Sequence, residues 1–415
     1  MAFDYRGGAL CAEQVSLEEI ARRFGTPCYV YSRAAIERAY REYSDALAGR
    51  PSLVCYSVKA NSNIAVLSVM ARLGAGFDIV SGGELARVLA AGGDPAKVVF
   101  SGIGKSGQEI REALHAGVLA LNLESEQELA RVNEIAAGMG KRAPVAFRVN
   151  PDVDAKTHPY ISTGLKQNKF GIAYAEAERL YREAARLPGI QLTGVGCHIG
   201  SLMNDSAPFV AAAERIAALL SRLEQAGIAL THVDLGGGMG IRYKDELQAP
   251  IAAFVRGALD ALGQRKEKIL FDPGRSIVGN AGVLLTKVEY LKRGDSKNFV
   301  VVDAAMNDLI RPALYGAWHE VRQVRETESG GMPGVYDVVG PICESADFLA
   351  RERMLAPRPG GLLAIMSAGA YGMAMSSNYN TRPRPAEVMV SGAGASLIRE
   401  RETVNQLFAG ERLLP

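Results

Sequence analysis

Short apolar runs alternate with longer amphipathic segments over the first two thirds of the chain. The runs resemble buried strands, and the segments between them carry apolar residues at helical spacing. The predicted strands are 28–32, 53–58, 76–80, 97–101, 118–123, 144–149, 192–197, 230–235 and 268–272. The predicted helices are 33–48, 63–73, 82–92, 106–116, 125–138, 174–187, 206–226 and 246–263. This repetition predicts an α/β fold with parallel strands inside and helices outside.

The number of strands indicates a closed (β/α)₈ TIM barrel. Nine candidates are present, whereas such a barrel uses eight strands. We expect strand 28–32, the first of the series, to lie outside the barrel. Functional side chains of this fold lie at the carboxyl ends of the strands. The irregular segment 150–170 follows one such end, so we expect an active-site loop there.

The pattern changes after Gly279, where apolar alternations recur without amphipathic helices between them. These alternations are 282–291, 298–304, 335–340, 361–367 and 386–391. They predict a mostly antiparallel β domain. We therefore expect a barrel domain over 33–279 and a β-rich domain formed by 1–32 and 280–415. Residues 15–24 predict a helix that begins with a capping box between Ser16 and Glu19.

Composition narrows the function without identifying it. The 415 residues are 48% hydrophobic and carry a formal charge of +2, which gives no electrostatic case for nucleic acid or an anionic membrane. A small-molecule role is favoured. Five scattered cysteines without Cys-x-x-Cys spacing predict free thiols in a reducing compartment. With neither an apolar signal core nor a membrane-spanning window, we expect a cytoplasmic protein.

A lysine at the end of the strand 53–58 is the first candidate for chemistry. The apolar run Leu53-Val-Cys ends in Lys59-Ala-Asn, so Lys59 lies at a carboxyl end. Apolar neighbours would favour its neutral amine, which can attack an aldehyde and form a Schiff base. The alternative is a lysine that reaches from a strand end into solvent.

The other predicted strand ends are also polar. They carry Asp78 with Ser81, Ser101, Asn122, Glu124, Arg148, Asn150, His198, Ser201, Asp234 and Asp272 with Arg275. The glycines 236–238 after a strand fit an anion-binding nest or a tight turn. They do not match the dinucleotide fingerprint, because position 241 is Ile. Five histidines without paired metal spacing make a metal site unexpected.

Together these residues are the parts of a pyridoxal phosphate site. Lys59 would bond to the aldehyde, and the glycine nest with Arg275 would hold the phosphate. Asp272, directed inward by the following Pro-Gly turn, would keep the pyridine nitrogen protonated. His198, flanked by glycines, could stack on the ring or be an ordinary core histidine.

The sequence resembles the fold type III pyridoxal phosphate-dependent decarboxylases along nearly its whole length. The motifs, in family order, are Tyr-Ser-Val-Lys-Ala-Asn (56–61), Phe-Asp-Ile-Val-Ser-Gly-Gly-Glu (77–84), His-Ile-Gly-Ser (198–201), Gly-Gly-Gly (236–238), Asp-Pro-Gly-Arg (272–275), Gly-Pro-Ile-Cys-Glu-Ser (340–345) and Ala-Tyr-Gly (370–372). The resemblance implies an alanine-racemase-like barrel with a β domain. One difference is that the family usually has Glu-Pro-Gly-Arg, where Asp272 stands here.

The resemblance also implies residue roles. Lys59, His198 and Cys343 would be catalytic, with Cys343 as proton donor contributed by the partner subunit of a homodimer. The cofactor-binding residues would be Lys59, Asp78, His198, Ser201, Gly237, Gly238, Asp272, Gly274, Arg275 and Tyr371. The substrate-binding residues would be Arg275, Arg311, Tyr315, Glu344 and Tyr371.

The substrate can be argued from the charges. A guanidinium at Arg311 suits a distal carboxylate, and Glu344 suits a distal amine, so together they fit an amino acid at both ends. The expected reaction is decarboxylation of meso-2,6-diaminopimelate to L-lysine and CO₂. The alternatives are a decarboxylase of carboxynorspermidine, ornithine, arginine or lysine, and a non-catalytic pyridoxal phosphate-binding homologue. For Arg311 alone, a surface ion pair is the other interpretation.

Overall fold

The computed structural model describes residues 2–153, 169–247, 249–327 and 330–415. The predicted active-site loop over 150–170 therefore lies mostly outside the described residues. The chain forms two compact units. The barrel unit comprises Ala39–Ile241 and Leu247–Ser276, and the β unit comprises Met1–Arg38, Arg242–Glu246 and Ile277–Pro415.

The N-terminal elements belong to the β unit. They are β1 (Phe3–Arg6), β2 (Ala9–Ala12), β3 (Val15–Ser16), α1 (Leu17–Phe24) and β4 (Cys28–Ser32). Ser16 caps α1 as predicted, but it accepts the N–H of Glu18, and the Glu19 carboxylate instead accepts a hydrogen bond from Arg23. The predicted capping box is thus wrong, because an ion pair along the helix holds Glu19.

The middle of the chain alternates strands and helices as the apolar pattern predicts. The strands are β5 (Ser52–Ser57), β6 (Gly76–Ile79), β7 (Val98–Phe100), β8 (Ala120–Leu123), β9 (Ala143–Asn150), β10 (Ile172–Ala173), β11 (Ile190–Gly196), β12 (His232–Asp234) and β13 (Lys268–Phe271). The helices are α2 (Arg33–Ala46), α3 (Ile64–Arg72), α4 (Gly82–Ala90), α5 (Gly107–Ala116), α6 (Glu126–Gly138), α7 (Ala177–Ala184), α8 (Ala207–Gln225) and α9 (Ile251–Leu262). Among the helices that the structure describes, none is both long and apolar enough to cross a membrane.

Eight of these strands, counted over the described residues, close into a parallel barrel. Their order is β5, β6, β7, β8, β9, β11, β12, β13 and back to β5, while the short β10 pairs with the carboxyl end of β9. The predicted (β/α)₈ barrel is confirmed. Because the strands are parallel, their carboxyl ends meet at one rim, and functional side chains of this fold lie there.

Helix α8 shows how the amphipathic segments cover the barrel. Its buried residues, which include Phe209, Ile216 and Leu220, recur at helical spacing and form one apolar face. The ring of Phe209 stacks on Phe254 of α9 with centroids 4.1 Å apart. Helix α9 begins after Pro250 rather than at 246, since proline suits a helix start but not a helix interior.

The C-terminal elements form a mostly antiparallel sheet of the β unit. They are α10 (Arg275–Val278), β14 (Gly282–Arg293), β15 (Asn298–Val302), α11 (Arg311–Tyr315), β16 (Val321–Gln323), β17 (Gly334–Val339), β18 (Phe348–Leu355), β19 (Leu362–Ile365), β20 (Ala386–Ser391), β21 (Gly394–Arg399) and α12 (Val404–Leu407). Strand β4 pairs with β14 and β20, so it lies outside the barrel as predicted. The core of this unit includes Val30, Leu285 and Val388. The sequence did not predict β18, because Arg351, Glu352 and Arg353 interrupt its apolar pattern.

Candidate active site

Polar side chains from the carboxyl ends of the barrel strands surround one cavity of the barrel unit. It is lined by Lys59, Asp78, Ser101, Asn122, Arg148, Gly196, Cys197, His198, Asp234 and Asp272. The structure thus brings together four predicted site residues, which are Lys59, Asp78, His198 and Asp272. In the described part of the chain, no group of His, Cys, Asp or Glu side chains is arranged to hold a metal ion.

Lys59 forms an ion pair inside this cavity. It lies in a short 3₁₀ turn, Val58–Ala60, directly after β5. Its Nζ is 2.9 Å from Oδ2 of the buried Asp78, while its own side chain is 36% exposed. The predicted apolar surroundings are therefore wrong, because a buried carboxylate lies beside the amine.

The Asp78 carboxylate is shaped by opposing effects. Burial acts to raise its pKa, but the Lys59 ammonium and hydrogen bonds from Ser101, Lys59 and Ser57 hold the pKa below its ordinary value. Ser57, on β5, lies 3.1 Å from Oδ2 through its hydroxyl. Asp78 is thus an anion that holds Lys59 at the rim of the barrel.

Two further buried carboxylates lie near Asp78. Burial and the Asp78 charge raise the pKa of Asp234 to about 6, although its Oδ1 accepts the N–H of Gly236 at 2.9 Å. Burial and the charges of Asp234 and Asp78 raise the pKa of Asp272 well above its ordinary value. Within the described residues, Oδ1 of Asp272 is buried without a hydrogen-bond partner. Oδ1 of Asp272 therefore lacks a donor that would stabilise its charge, although the charges of Lys59 and Arg148 act to lower the pKa of Asp272.

His198 is held as a neutral ring. Burial, with the nearby charges of Arg148 and Lys59, lowers the pKa of His198 to about 3. The N–H of Gly237 points to Nδ1 at 3.4 Å, so Nδ1 is the acceptor nitrogen. Nδ1 also lies 3.9 Å from Oδ1 of Asp272, too far for a hydrogen bond. The ring is therefore an uncharged flat surface beside a carboxylate.

The glycine loop after β12 packs too closely for side chains. Gly236 and Gly238 have φ values of 77° and 96°, which favour glycine. A Cβ at Gly237 would clash with the carbonyl oxygen of Asp272, and one at Gly238 would clash with that of Gly200. Loops of this kind present backbone N–H groups to anions.

The remaining predicted residues of the barrel unit follow the same loops. A Cβ at Gly274 would lie 2.9 Å from the side chains of Ala60 and Ser57, so this glycine lets the Asp272 turn pack on the Lys59 segment. Arg275 is the first residue of α10 and is half-buried. Ser201 is half-buried and follows His198 in the β11–α8 connection.

Within the β unit, the predicted substrate residues come from three separate segments. Arg311 begins α11 and is only 3% exposed, which excludes a surface ion pair. Tyr315 ends the same helix and is half-buried. Tyr371 has a φ of 55°, a strained conformation for a residue with a side chain, and such strain is often found at functional sites.

The loop that carries Cys343 and Glu344 is exposed but firmly anchored. The N–H of Cys343 donates to Oδ1 of Asn380 at 2.8 Å. The carboxylate of the buried Asp347 accepts the N–H of Ile342 at 2.8 Å. Sequence reasoning missed both anchors, because their spacings of 5 and 37 residues belong to no regular helix or strand pattern. The Cys343 thiol is free and accessible.

Four cavity residues were noted at strand ends but were assigned no role from the sequence. They are Ser101, Asn122, Arg148 and Asp234. Arg148 donates to the buried Glu124 at 3.2 Å, and it is one of the charges that keep His198 neutral. The signal that could have found them is their position, since each ends or follows a barrel strand.

The chain matches known proteins over its whole length. Residues 33–279 match the family model of the pyridoxal-dependent decarboxylases, pyridoxal binding domain. A Pseudomonas aeruginosa protein named diaminopimelate decarboxylase is 60% identical over 414 residues, which cover 100% of this chain and 99% of that protein. The crystal structure of Helicobacter pylori diaminopimelate decarboxylase complexed with L-lysine is 42% identical, covers 95% of this chain and 98% of that chain, and has a TM-score of 0.92. The M. jannaschii enzyme in co-complex with L-lysine is 36% identical, covers 100% of this chain and 98% of that chain, and has a TM-score of 0.94.

Proposed function

We propose a function from one premise, which is that the chain belongs to the pyridoxal-dependent decarboxylases and, among them, to the diaminopimelate decarboxylases. It is a carboxy-lyase that uses pyridoxal 5′-phosphate to convert meso-2,6-diaminopimelate to L-lysine and CO₂. The resemblance inferred from the motifs is thereby confirmed. The observation that carries the site assignment is the Lys59–Asp78 pair at 2.9 Å, in one cavity with His198 and Asp272.

The barrel cavity fits this cofactor on three grounds. The buried Oδ1 of Asp272 has no partner in the described residues and would accept the ring-nitrogen proton. The glycine loop 236–238 leaves no room for side chains, as in loops that bind phosphate through backbone N–H groups, although the N–H groups of Gly236 and Gly237 here donate to Asp234 and His198. Lys59, at the rim, is the amine that would bond to the aldehyde. On the basis of the resemblance to the family, we also assign to cofactor binding Ser201, Gly237, Gly238, Gly274, Arg275 and Tyr371.

The chemistry depends on the charge that surrounds the substrate. When bound, the cofactor supplies an electron sink for the electron pair left by the departing CO₂. Asp272, as an anion, would hold a proton on the ring nitrogen and so strengthen that sink. Because the His198 ring is uncharged, it can pack against an aromatic surface without opposing this positive charge. Asp78 orients the Lys59 amine through the ion pair.

Substrate recognition is assigned to the β unit. Arg311 and Tyr315 would bind the distal carboxylate, for which a guanidinium is well suited. Tyr371 would contribute to the grip from its strained turn. Cys343 and Glu344 are exposed on an anchored loop, and we propose that they complete the active site of the partner subunit in a homodimer. There Cys343 would donate the final proton, and Glu344 would bind the distal amine.

Five free thiols also support a cytoplasmic location.

The Lys59 assignment is tested by substitution and labelling. Lys59→Ala should abolish CO₂ release from meso-diaminopimelate, and borohydride treatment should no longer attach the cofactor to the chain. Lys268→Ala is the matched control, because Lys268 is an exposed lysine at the opposite, amino end of a barrel strand. Retained turnover in Lys59→Ala would reject the assignment. Assays with lysine, ornithine, arginine and carboxynorspermidine separate the alternative substrates.

The shared site is tested by mixing two inactive variants. Homodimers of Lys59→Ala and of Cys343→Ala should each be inactive or nearly so. If the sites are shared, a refolded mixture contains dimers with one intact site and recovers about a quarter of wild-type activity. No recovery, with mixed dimers shown by mass, would reject the sharing.

A further inference from the structure

The guanidinium of Arg311 is held from two sides inside the β unit. Its Nη1 lies 2.9 Å from Nε2 of His319, which is fully buried. The guanidinium carbon lies 4.8 Å from the ring centroid of Tyr243, and the His319 ring meets that tyrosine edge-on at 5.3 Å. A buried cation with an aromatic face and a nitrogen acceptor has little freedom to rotate.

From this arrangement we propose that His319 is a positioning residue that sets substrate specificity by aiming Arg311 at the distal carboxylate. The inference rests on the proposed role of Arg311 and adds to it a residue that the sequence did not single out. His319 itself would not touch the substrate. Its effect is confined to ligands that carry the distal carboxylate.

The partners of His319 determine where its proton lies. Nδ1 is 2.8 Å from the carbonyl oxygen of Met366, which can only accept, so Nδ1 carries the hydrogen. Arg311 can only donate, so Nε2 presents its lone pair. The ring is therefore neutral with one fixed tautomer. Because it is neutral, this contact orients the guanidinium without cancelling its charge.

The sheet gives this contact its precision. Val321 of β16 pairs with Ile365 of β19, and the next peptide bond continues the ladder, since Met366 N–H donates to the carbonyl of Glu320 at 2.8 Å. The Met366 peptide thus fixes both the backbone beside His319 and its ring. A binding group that is supported by a buried sheet is held more accurately than one on a free loop.

Two substitutions separate the two hydrogen bonds. In His319→Asn the shorter amide keeps a donor near the Nδ1 position for Met366 but loses the acceptor for Arg311. In His319→Gln the longer side chain places an oxygen near the Nε2 position, where it can still accept from Arg311. The pair therefore distinguishes loss of the arginine contact from loss of a buried imidazole.

The readout is the inhibition of the holoenzyme by L-lysine and by cadaverine, which differ only in the carboxylate. His319→Asn should raise the inhibition constant of L-lysine about tenfold, as expected for one hydrogen bond to a charged group. In the same variant, the inhibition constant of cadaverine should stay within about twofold of the wild-type value. In His319→Gln, the inhibition constants of both ligands should stay within about threefold of wild type.

Each other outcome has a definite meaning. If His319→Asn weakens both ligands equally, or neither, the positioning role is wrong. Arg311→Ala tests the underlying proposal, because it should weaken L-lysine selectively by more than His319→Asn does. If Arg311→Ala shows no such selectivity, the substrate role of Arg311 fails instead. If His319→Asn does not fold, Tyr243→Leu takes its place. A selective loss of L-lysine binding in Tyr243→Leu, with His319→Gln close to wild type, supports the proposal. An equal change in the binding of L-lysine and cadaverine opposes it.

Discussion

Buried carboxylates are arranged differently in the two units of this chain. At the barrel rim, Asp78, Asp234 and Asp272 act on one another, so that the pKa of one is lowered and those of the others are raised. In the β unit, Asp337 and Asp308 are held by separate sets of hydrogen-bond donors. Asp337 accepts from Lys297 and the Glu352 backbone, and Asp308 accepts from Ala305 and Asn307.

This difference distinguishes carboxylates that form a functional site from carboxylates that stabilise the fold. Carboxylates that share one cavity titrate as a group, and a cationic ligand alters all of them at once. Carboxylates with private partners fix local backbone geometry and are independent of what binds elsewhere. We therefore expect substitutions of the rim carboxylates to change chemistry and to depend on each other, whereas substitutions of Asp308 and Asp337 should change stability alone.

The largest expected contrast is between Asp272→Asn and Asp337→Asn. An amide at 272 cannot carry the negative charge that keeps the ring nitrogen protonated, so kcat should fall on the order of 10²–10³-fold. Asp337→Asn removes a buried carboxylate of the β unit and should leave kcat within about twofold. Steady-state CO₂ release measures both. Equal effects of the two substitutions would remove the distinction, and Asp272→Glu, which restores the family's usual residue, should remain active.

The barrel rim could be predicted from the sequence because one rule covers it. The apolar period gives the strands, and the strand ends give Lys59, Asp78, His198 and Asp272, which the structure brings together. What the rule could not give is the contact between them. That Lys59 faces a carboxylate rather than apolar side chains depends on how neighbouring strands are staggered, which a single strand does not encode.

The β unit has no comparable rule. Arg311, Cys343 and Tyr371 do not follow a pattern such as the ends of the barrel strands, so only the resemblance to a family singled them out. The residues that hold these side chains and loops in place were not predicted from the sequence. His319 and Asn380 act through contacts that span 47 and 37 residues of sequence, and such pairs are visible only once the chain is folded.

The second contrast concerns two glycines with positive φ. Gly238 has a φ of 96° and no room for a Cβ beside the Gly200 carbonyl, whereas Gly227, with a φ of 78°, has nothing within 4 Å. Gly227→Ala should cost about 1 kcal/mol from the backbone alone. Gly238→Ala must also displace the loop, so cofactor affinity should fall tenfold or more. Cofactor titration followed by absorbance, together with urea unfolding, measures both, and unchanged affinity in Gly238→Ala would reject the nest.

A third test compares the coupling between carboxylates. The free energies of unfolding of Asp78→Asn, Asp272→Asn and the double variant should depart from additivity by about 0.5–3 kcal/mol, as is usual for residues in one charged network. Asp308→Asn and Asp337→Asn share no described partner and should add to within about 0.5 kcal/mol. Urea unfolding of the wild type and the six variants, including both doubles, gives the two cycles. Additivity at the rim would mean that the three carboxylates are not one network.

The last comparison is a pH dependence whose sign differs between Asp308 and Asp78. Burial raises the pKa of Asp308 to about 7, so the folded chain binds this proton more tightly than the unfolded chain does. The stability that Asp308 contributes is therefore full below its ordinary pKa of about 4 and is lost as the pH rises toward 7, by at most about 1.4 kcal/mol per pH unit. Asp78 behaves oppositely, because its pKa is lowered, and its contribution is present above about pH 4 and is lost as the pH falls.

The two asparagine variants make this sign measurable. The free energy of unfolding of Asp308→Asn, relative to that of the wild type, should increase from pH 5 to pH 7, because the amide mimics the neutral acid that folding prefers there. For Asp78→Asn, the loss of unfolding free energy relative to the wild type should instead be smallest at the lowest pH that the fold tolerates. Urea unfolding from the lowest pH that the fold tolerates up to pH 7 gives the differences, and slopes of the same sign would contradict the assigned pKa directions. Opposite slopes would show that a buried carboxylate with private partners favours its proton, whereas one that holds Lys59 at the rim favours its charge.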